Sequence, residues 1–219
     1  MSRKENESPE LSFVIKEAVK SELMETRVCL PARIVSYDLS KQSASVEPLL
    51  KKEYFKDNEL VSLPIINDVP VLTLGAVGGD TFIHFPLQKD DLGIIVICDR
   101  SLDRWLSGAG NSVDPADTRT HDLNDAIFIP GLRPFSGAVS VDNKNDLFIK
   151  HGNMKLQLSS AGKMKASNQT DEILLIIKDL MTELINALVF TGIGPQPFIS
   201  STVTNITAIR ARLELMRLT

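Results

Sequence analysis

Apolar residues near the start of the chain recur at helical spacing. Residues 8–25 place four of them on one face: Leu11, Val14, Ile15 and Ala18. Ser8 and Pro9 supply a capping residue and a proline for the first helical position, and Glu10 adds an acid to the first turn. We therefore predict a helix over 8–25. Its apolar face must dock onto its own domain or onto a neighbouring protein.

From Val28 the period changes to two, which is typical of half-buried strands. Val28, Leu30, Ala32 and Ile34 alternate with other residues, and Ala44 and Val46 continue the pattern after a turn. Further short strands are predicted at Leu60–Ile66, Val69–Leu74, Thr81–Phe85, Leu92–Cys98 and Ala126–Ile129. Loops at Gly75–Asp80 and Pro86–Asp91 separate three of them. Many short strands with little helix between them favour a small closed barrel.

A single helical turn is predicted at Ser101–Leu106. We expect Leu102 and Trp105, with Leu106, to pack back on the barrel, and Ile129 to complete the core. Asn111–Asp125 is polar and carries both charge signs, which is typical of a mobile or partner-facing loop.

Alternation continues from Ser136 to Ser167, but with too little apolar mass for a separate fold. Turns at Asn143, Gly152-Asn153 and Ala161-Gly162 divide it, and nine apolar side chains follow the period of two: Val139, Val141, Leu147, Ile149, Met154, Leu156, Leu158, Met164 and Ala166. The free energy gained by burying these side chains is smaller than the entropic cost of ordering about thirty backbone residues. The edge strands would also stay unpaired. Three chains around a common axis would solve both problems. A three-stranded extension packed on the barrel is the alternative.

The last fifty residues return to helical spacing. A heptad seam is formed by Ile173, Ile177, Leu180, Leu184 and Ala187, and isoleucine-rich seams favour three or four strands. Neighbouring apolar residues widen the stripe: Leu174, Ile176, Met181, Ile185 and Leu188. Gly192–Pro197 should break the helix. A second helix over Ser201–Leu218 has an apolar face made by Ile206, Ile209, Leu213 and Met216. We expect a helical hairpin whose second arm packs outside the first.

Composition excludes some classes of function. The chain of 219 residues has a net charge of −4 and gives no electrostatic case for duplex nucleic acid. Its polar first ten residues lack the apolar core of a secretion signal, and no apolar run approaches the ~20 residues that span a bilayer. Cys29 and Cys98 could form a disulfide, but buried free thiols are favoured and fit assembly in a reducing cytoplasm.

The sequence indicates no catalytic, cofactor-binding or metal-binding residues. His84, His121 and His151 form neither an H-x-H nor an H-E-x-x-H pair. His151 could meet its copies on an axis and bind a metal, although a solvated turn histidine is favoured. The loop at Gly75–Asp80 lacks the lysine of a phosphate loop. Two neighbouring pairs, Asp99-Arg100 and Asp103-Arg104, are expected to be structural ion pairs.

The stretch LGIIVICDRSLDRW followed by HDLNDAIFIPGLRPF resembles the N-terminal OB-fold domain of the cell-puncturing central spike proteins of contractile-tailed phages. The upstream segments LPARIVSYDLSKQSASVEPLL and PVLTLGAVGGDTFIHFPLQKDD are similar to the earlier strands of that domain. GIGPQPF between two helices resembles the tail of baseplate proteins of the same group. The resemblance covers about residues 28–135 and, more loosely, the tail.

The resemblance implies a homotrimer on the tail axis, with OB-folds against the baseplate hub and an intertwined β region toward the host. Some members of that family end in a needle tip where paired histidines from three chains hold iron. This chain has no H-x-H pair and its tail is helical. That difference argues against a metal-tipped needle and against a terminus that pierces the membrane unaided.

The sequence therefore predicts a mainly β protein with helices, in four parts: an N-terminal helical arm at 1–26, an OB-fold at 27–135, a trimeric β shaft at 136–168 and a helical bundle at 169–219. The predicted trimer interface consists of Leu147, Ile149, Leu156, Leu158, Met164, Ile173, Ile177, Leu180 and Leu184. We expect a structural, non-enzymatic central spike of a virion, assembled in the bacterial cytoplasm. Its expected partners are itself, hub and tail-tube proteins and the host envelope.

Two other functions stay open at this stage. One is an OB-fold module that binds single-stranded nucleic acid or a glycan and carries an oligomerisation tail. Such a module needs aromatic side chains on a basic face. The other is an envelope-degrading enzyme, which needs two acids across a cleft, and no such pair is marked in the sequence.

Overall fold

The computed structural model describes residues 10–54 and 59–217, and the chain divides into two compact units, Met1–Ala138 and Val139–Thr219. The finer predicted division at residues 26, 135 and 168 stays a prediction. Both units mix strands and helices, and the protein is mainly β, as the sequence predicted.

The first unit consists of short strands and two helices. In chain order they are α1 Leu11–Glu25, β1 Cys29–Asp38, β2 Ser43–Pro48, β3 Lys52–Tyr54, β4 Glu59–Val61, β5 Ile66–Pro70, β6 Leu74–Ala76, β7 Thr81–Ile83, β8 Leu92–Ile97, α2 Asp103–Leu106 and β9 Ala126–Pro130. Five strands form one antiparallel sheet in the order β5-β2-β1-β8-β9. Two hairpins, β3–β4 and β6–β7, extend from it.

The five-stranded sheet curls so that its two ends approach each other. Directly after β5, Val71 forms a parallel bridge with Phe128 of β9, and the Leu72 amide donates to the Phe128 carbonyl at 2.9 Å. Register shifts at Ile34/Ser36 in β1 and at Ala44/Val46 in β2 increase the local twist. The result is a curled antiparallel half-barrel, compatible with an OB-like barrel.

The interior of this half-barrel explains the period of two in the sequence. Ten hydrophobic residues form the buried core: Ala32, Ile34, Ala44, Val46, Ile66, Val69, Ile95, Ile97, Ala126 and Phe128. Phe128 is the largest side chain with no solvent exposure. Gly93 leaves room for it, because a Cβ at this position would collide with the Phe128 ring and the Ile129 carbonyl oxygen. The core therefore requires glycine here.

Two predicted strands are interrupted. The predicted strand Leu60–Ile66 is split between the end of β4 and the start of β5, with Pro64 in the gap, where proline supplies no amide for a ladder. The predicted strand Val69–Leu74 likewise divides between β5 and β6. Of the predicted loop Gly75–Asp80, the first two residues belong to β6, and only residues 77–80 form the turn of the β6–β7 hairpin.

The N-terminal helix begins at Leu11, with Glu10 as its capping position. The predicted start at Ser8 and Pro9 lies outside the described residues. No described side chain of α1 is buried, and the Lys52 ammonium meets the Glu25 carboxylate at 2.6 Å near its end. That α1 docks on a partner stays a prediction.

The expected core role of Trp105 and Leu106 is wrong, because both side chains are exposed. Leu102 is half-buried, and so is Ile129, which alternates with the inward Phe128. The expected burial of Cys29 is also wrong. Cys29 lies on the face of β1 opposite to Ala32 and Ile34, so it is exposed, whereas Cys98 is half-buried, and both thiols are free.

The second unit contains a small sheet and two packed helices. Its elements are β10 Leu147–His151, β11 Met154–Leu158, β12 Met164–Ser167, α3 Ile173–Asn186, β13 Leu188–Thr191, β14 Gly194–Pro197 and α4 Ser200–Met216. The first three strands form an antiparallel sheet in sequence order. The helix α3 packs against α4 and against β12. The predicted helices are thus confirmed, with Leu218 outside the described residues.

The connection between these helices differs from the prediction. The segment expected only to break the helix forms a β-hairpin, and Leu188, expected on the helical stripe, begins β13. Val189, Phe190 and Thr191 are strand-favouring residues. Gly194 has a φ of 109°, which permits the turn. On α4, Ile206 and Leu213 are half-buried, but Ile209 is exposed, so the predicted face is rotated.

The role of Phe128 can be tested by truncation. We expect Phe128→Ala to lower the free energy of unfolding by about 3–5 kcal/mol, because the substitution leaves a cavity in the core. Phe135→Ala is the matched control, since Phe135 is fully exposed, and it should change stability by less than about 0.5 kcal/mol. Urea titration followed by circular dichroism measures both. Equal effects would contradict this description of the core.

Candidate assembly surface

The register of the three-stranded sheet places its apolar side chains on one face. Leu147 pairs with Leu158, Ile149 with Leu156, and His151 with Met154. On the other side of β11, Leu156 pairs with Ala166 and Leu158 with Met164. Because side chains alternate between the faces of a strand, one face carries seven apolar residues: Leu147, Ile149, Met154, Leu156, Leu158, Met164 and Ala166. We call it the apolar face.

The apolar face is largely open to solvent in the single chain. Leu147 and Ile149 are each 58% exposed, Met154 is 49% exposed and Leu158 is 40% exposed. Leu156 and Met164 are half-buried. A small sheet normally covers such a face with another layer. Five residues predicted for a trimer interface therefore lie on one face, and three of them, Leu147, Ile149 and Leu158, are exposed.

The opposite face of this sheet is polar. Gln157 is buried there, and its Nε2 donates to the Asp146 carboxylate at 2.7 Å. The Lys155 ammonium meets the Asp142 carboxylate and lies 5.4 Å from the centre of the Phe148 ring. Polar contacts thus engage most of this face, although the buried Oδ1 of Asp146 has no hydrogen-bond partner among the described residues.

The helix α3 has its own outward stripe. Ile173, Ile176, Leu180 and Leu184 are exposed at spacings of three and four, whereas Ile177, Met181 and Ile185 are half-buried. Three of the four α3 residues predicted for the trimer interface are therefore available to another helix, whereas Ile177 is half-buried. Packing of α3 on α4 does not cover this stripe.

A buried charged pair joins the start of α3 to the end of α4. Glu172 is only 5% exposed and caps α3, accepting hydrogen bonds from the Leu174 and Leu175 amides at 2.9 Å each. Its second partner is Arg217, whose Nε donates at 2.7 Å. The sequence interpretation missed this pair. Glutamate is not among the residues favoured at a helix N-cap, and no sequence pattern indicates the arginine forty-five residues later.

In the first unit, one arginine joins three acids around the α2 turn. The Arg119 guanidinium donates to Asp125 at 2.7 and 2.9 Å, to Asp103 at 2.8 Å and to Asp117 at 3.0 Å. Asp125 is 1% exposed and also accepts the Leu102 amide at 2.9 Å. These polar contacts hold the turn, which explains how Trp105 can stay exposed.

The charges in this cluster influence one another. The hydrogen bonds from Arg119, above all, hold the pKa of Asp125 below its ordinary value of 3.8, against an opposite effect of burial. The pKa of Arg119 is raised by its hydrogen bonds to Asp125 and then Asp103. Burial, followed by the charge of Asp125, raises the pKa of Cys98 above its ordinary value of 9.0.

The expected ion pairs around this turn are partly wrong. Asp99 and Arg100 approach to 3.8 Å as predicted, on the surface. Asp103 instead bonds to Arg119, because the loop returns that arginine to the turn from sixteen residues away. The sequence interpretation had assigned this loop only a mobile or partner-facing role, so it missed Arg119 and Asp125.

The histidines are dispersed over the described residues. His121 has its Nδ1 3.1 Å from the Arg27 carbonyl and its Nε2 3.3 Å from the Asp99 carboxylate. His84 is exposed, and His151 is exposed at the end of the apolar face. Residues 10–54 and 59–217 contain no group of three or more histidine, cysteine or acidic side chains arranged for a metal ion. Over the same ranges, no helix combines the length and apolarity needed to cross a bilayer.

Comparison with known proteins gives one family match. Residues 30–131 match the family described as Phage protein Gp138 N-terminal domain, which covers slightly less than half of the chain. No curated protein matches the chain. The family match supports a phage structural protein and suggests a virion component. It lies within the first unit and includes the half-barrel.

The Arg119 cluster yields a stability prediction. We expect Arg119→Met to lower the free energy of unfolding at pH 7 markedly, because it leaves the buried Asp125 carboxylate without its cation. Arg100→Met is the matched control, since it breaks only the exposed pair with Asp99, and should cost less than about 1 kcal/mol. Chemical denaturation measures both. Equal losses would show that the cluster does not hold the loop.

The same cluster predicts a dependence on pH. Because the folded pKa of Asp125 is depressed, its stabilisation is fully present above the ordinary value of 3.8 and is lost as pH falls through the folded value. Wild-type protein should therefore be more stable than Asp125→Asn at pH 6. The difference should shrink as pH falls below about 4. A difference that grows on acidification would contradict the assignment.

Proposed function

We propose that this chain is a structural, non-enzymatic component of a phage tail, the homotrimeric central spike of a contractile-tail baseplate. In this role it closes the tail tube and helps to penetrate the host envelope. The observation that carries the proposal is the uncovered apolar face of the β10–β11–β12 sheet. It occurs in a chain whose residues 30–131 match a phage protein family.

An exposed apolar face of this kind favours association. Soluble monomers rarely expose large contiguous apolar patches, and such patches mark interaction surfaces. Copies of the same chain are suitable partners, because each brings an equivalent apolar face and an outward α3 stripe. Three copies around one axis would shield Leu147, Ile149 and Leu158 from water together. They would also give the seam of Ile173, Leu180 and Leu184 its partners.

The remaining partners follow from the role. A spike at the end of a tail tube meets hub and tail-tube proteins on one side and the host cell envelope on the other. We propose that the half-barrel of the first unit contacts the hub, as the family resemblance implies. The protein would be assembled in the bacterial cytoplasm and reside in the tail baseplate of the virion. The virion assignment is supported by the phage family match.

The assembly state is the first test. Light scattering coupled to size-exclusion chromatography should give a mass of about three times the 24.1 kDa of one chain at micromolar concentration. Ile149→Asp should shift the mass toward that of a single chain, because it would bury a charge in the interface. The matched control is Leu39→Asp, which changes an exposed leucine in a turn of the first unit and should leave the mass unchanged.

Two results would count against the trimer. One is a single-chain mass for the unmodified protein. The other is the same mass change in Ile149→Asp and Leu39→Asp, which would show that the apolar face has no special part in assembly. Circular dichroism of both variants confirms that any change in mass comes from association and not from unfolding.

A further inference from the structure

The polar face of the β10–β11–β12 sheet carries three lysines close together. Lys150 lies directly opposite Lys155 across the β10–β11 pair. Lys165 lies opposite Gln157, on the same face and next to Lys155. Like charges placed opposite each other destabilise a sheet. This arrangement therefore costs stability in the chain alone.

The positive charge of this face is only partly balanced. Asp142 takes up the Lys155 ammonium, whereas Lys150 and Lys165 form no salt bridge with any residue that the structure describes. Asp146, the other acid nearby, accepts the Gln157 amide through Oδ2, and its buried Oδ1 has no hydrogen-bond partner among the described residues. Residues 139–169 contain five lysines and two aspartates, although the whole chain has a net charge of −4. Cationic charge is thus concentrated on this short segment.

The effect of the lysines is visible on Asp142. The pKa of this carboxyl is held below its ordinary value of 3.8, first by the hydrogen bond from Lys155 and then by its charge. Lys150 and Lys165 lower it further. The positive charges of all three lysines therefore stabilise the ionised carboxylate of Asp142.

The three lysines line an open cleft of about 520 Å³. The rest of its lining is mostly neutral and polar: Asn153, Ser167, Asn168, Gln169 and Thr170. Two acids, Asp171 and Glu172, also line it. Glu172 is already satisfied by Arg217 and two helix amides, and Asp171 accepts the Thr170 hydroxyl at 3.0 Å. The charges that line the cleft without a salt-bridge partner among the described residues are those of Lys150, Lys165 and Asp171, and the lysines outnumber the acid.

We propose that this cleft binds phosphate groups, with Lys150 and Lys165 as the binding cations and Lys155 as a third charge that Asp142 partly offsets. Lysine binds phosphate as a point charge, and several such charges around one cleft favour a multiply charged anion. The volume is sufficient for a diphosphate or a phosphorylated headgroup. The site consists of residues from one copy, so it does not depend on trimer formation.

Two sources of phosphate are distinguished by two probes applied to the full-length protein. Inorganic pyrophosphate, titrated by calorimetry, represents a soluble phosphate. Vesicles of phosphatidylglycerol and phosphatidylcholine in equal parts, compared with phosphatidylcholine alone by co-sedimentation, represent a lipid headgroup. We expect binding to at least one probe, weakened by added salt because exposed charges are screened.

The double variant Lys150→Gln/Lys165→Gln should lower the affinity for the bound probe by at least about tenfold. The matched control is Lys144→Gln/Lys163→Gln, which removes the same charge from the same segment but outside the cleft. It should change the affinity by less than about twofold. Thermal melts of both variants establish that they are folded.

A variant that binds more tightly is a useful further test, because misfolding can weaken binding but does not strengthen it. Asp142→Asn removes the carboxylate that competes for the lysines, so it should tighten binding by several-fold. Binding of anionic vesicles with this variant pattern identifies a lipid headgroup, and binding of pyrophosphate alone identifies a soluble phosphate. Absence of binding to both probes, or equal losses in the two double variants, would overturn the proposal. Neither outcome depends on the mass of the assembled protein.

Discussion

The second unit is governed by one constraint: its three-stranded sheet has an apolar face, and the rest of that unit leaves most of this face exposed. Strand pairing brings Leu147, Ile149 and Leu158 together with Leu156 and Met164 on that surface. Hydrogen bonding fixes the register, so the apolar residues cannot turn away from water individually. We propose that other copies of the chain supply the cover. This is the reasoning behind the proposed trimer.

The first unit, in contrast, buries its apolar residues in a core of its own. Its curled sheet encloses ten hydrophobic residues without help, and Phe128 and Gly93 show how closely neighbouring strands are fitted. Around the α2 turn, where there is little apolar packing, the structure is held by charged hydrogen bonds from Arg119 to the buried Asp125. The match to a phage protein family falls within this self-sufficient unit. The chain thus joins a unit with its own core to a unit with an incomplete one.

Sequence periodicity predicted the elements whose residues alternate strictly or follow a heptad. The inward positions Ala32 and Ile34, the apolar face and the stripe of α3 are of this kind. It failed where long-range polar contacts decide the structure. Trp105 looks like a core residue, but the turn that carries it is held by Arg119 and Asp125, which are far apart from it in sequence. The β13–β14 hairpin was missed because its glycines and prolines also satisfy the pattern of a simple helix break.

The polar and apolar faces of the same sheet give it two separate roles in this account. If copies cover the apolar face, the lysine-lined cleft belongs to the face that stays in water. Both roles arise from one alternation of side chains along β10, β11 and β12. Only the apolar face requires other chains, so the central claim concerns its protection from solvent.

Oxidation of the Met154 thioether measures directly whether the apolar face is protected from solvent. Met154 is 49% exposed in the single chain and lies on the apolar face, and an accessible thioether is oxidised by peroxide to the sulfoxide. The measurement is the rate of Met154 oxidation, followed by mass spectrometry, in the native protein and in the urea-unfolded chain. The account predicts a rate at least about tenfold slower in the native protein, because neighbouring copies cover the side chain. Equal rates in the two states would contradict it.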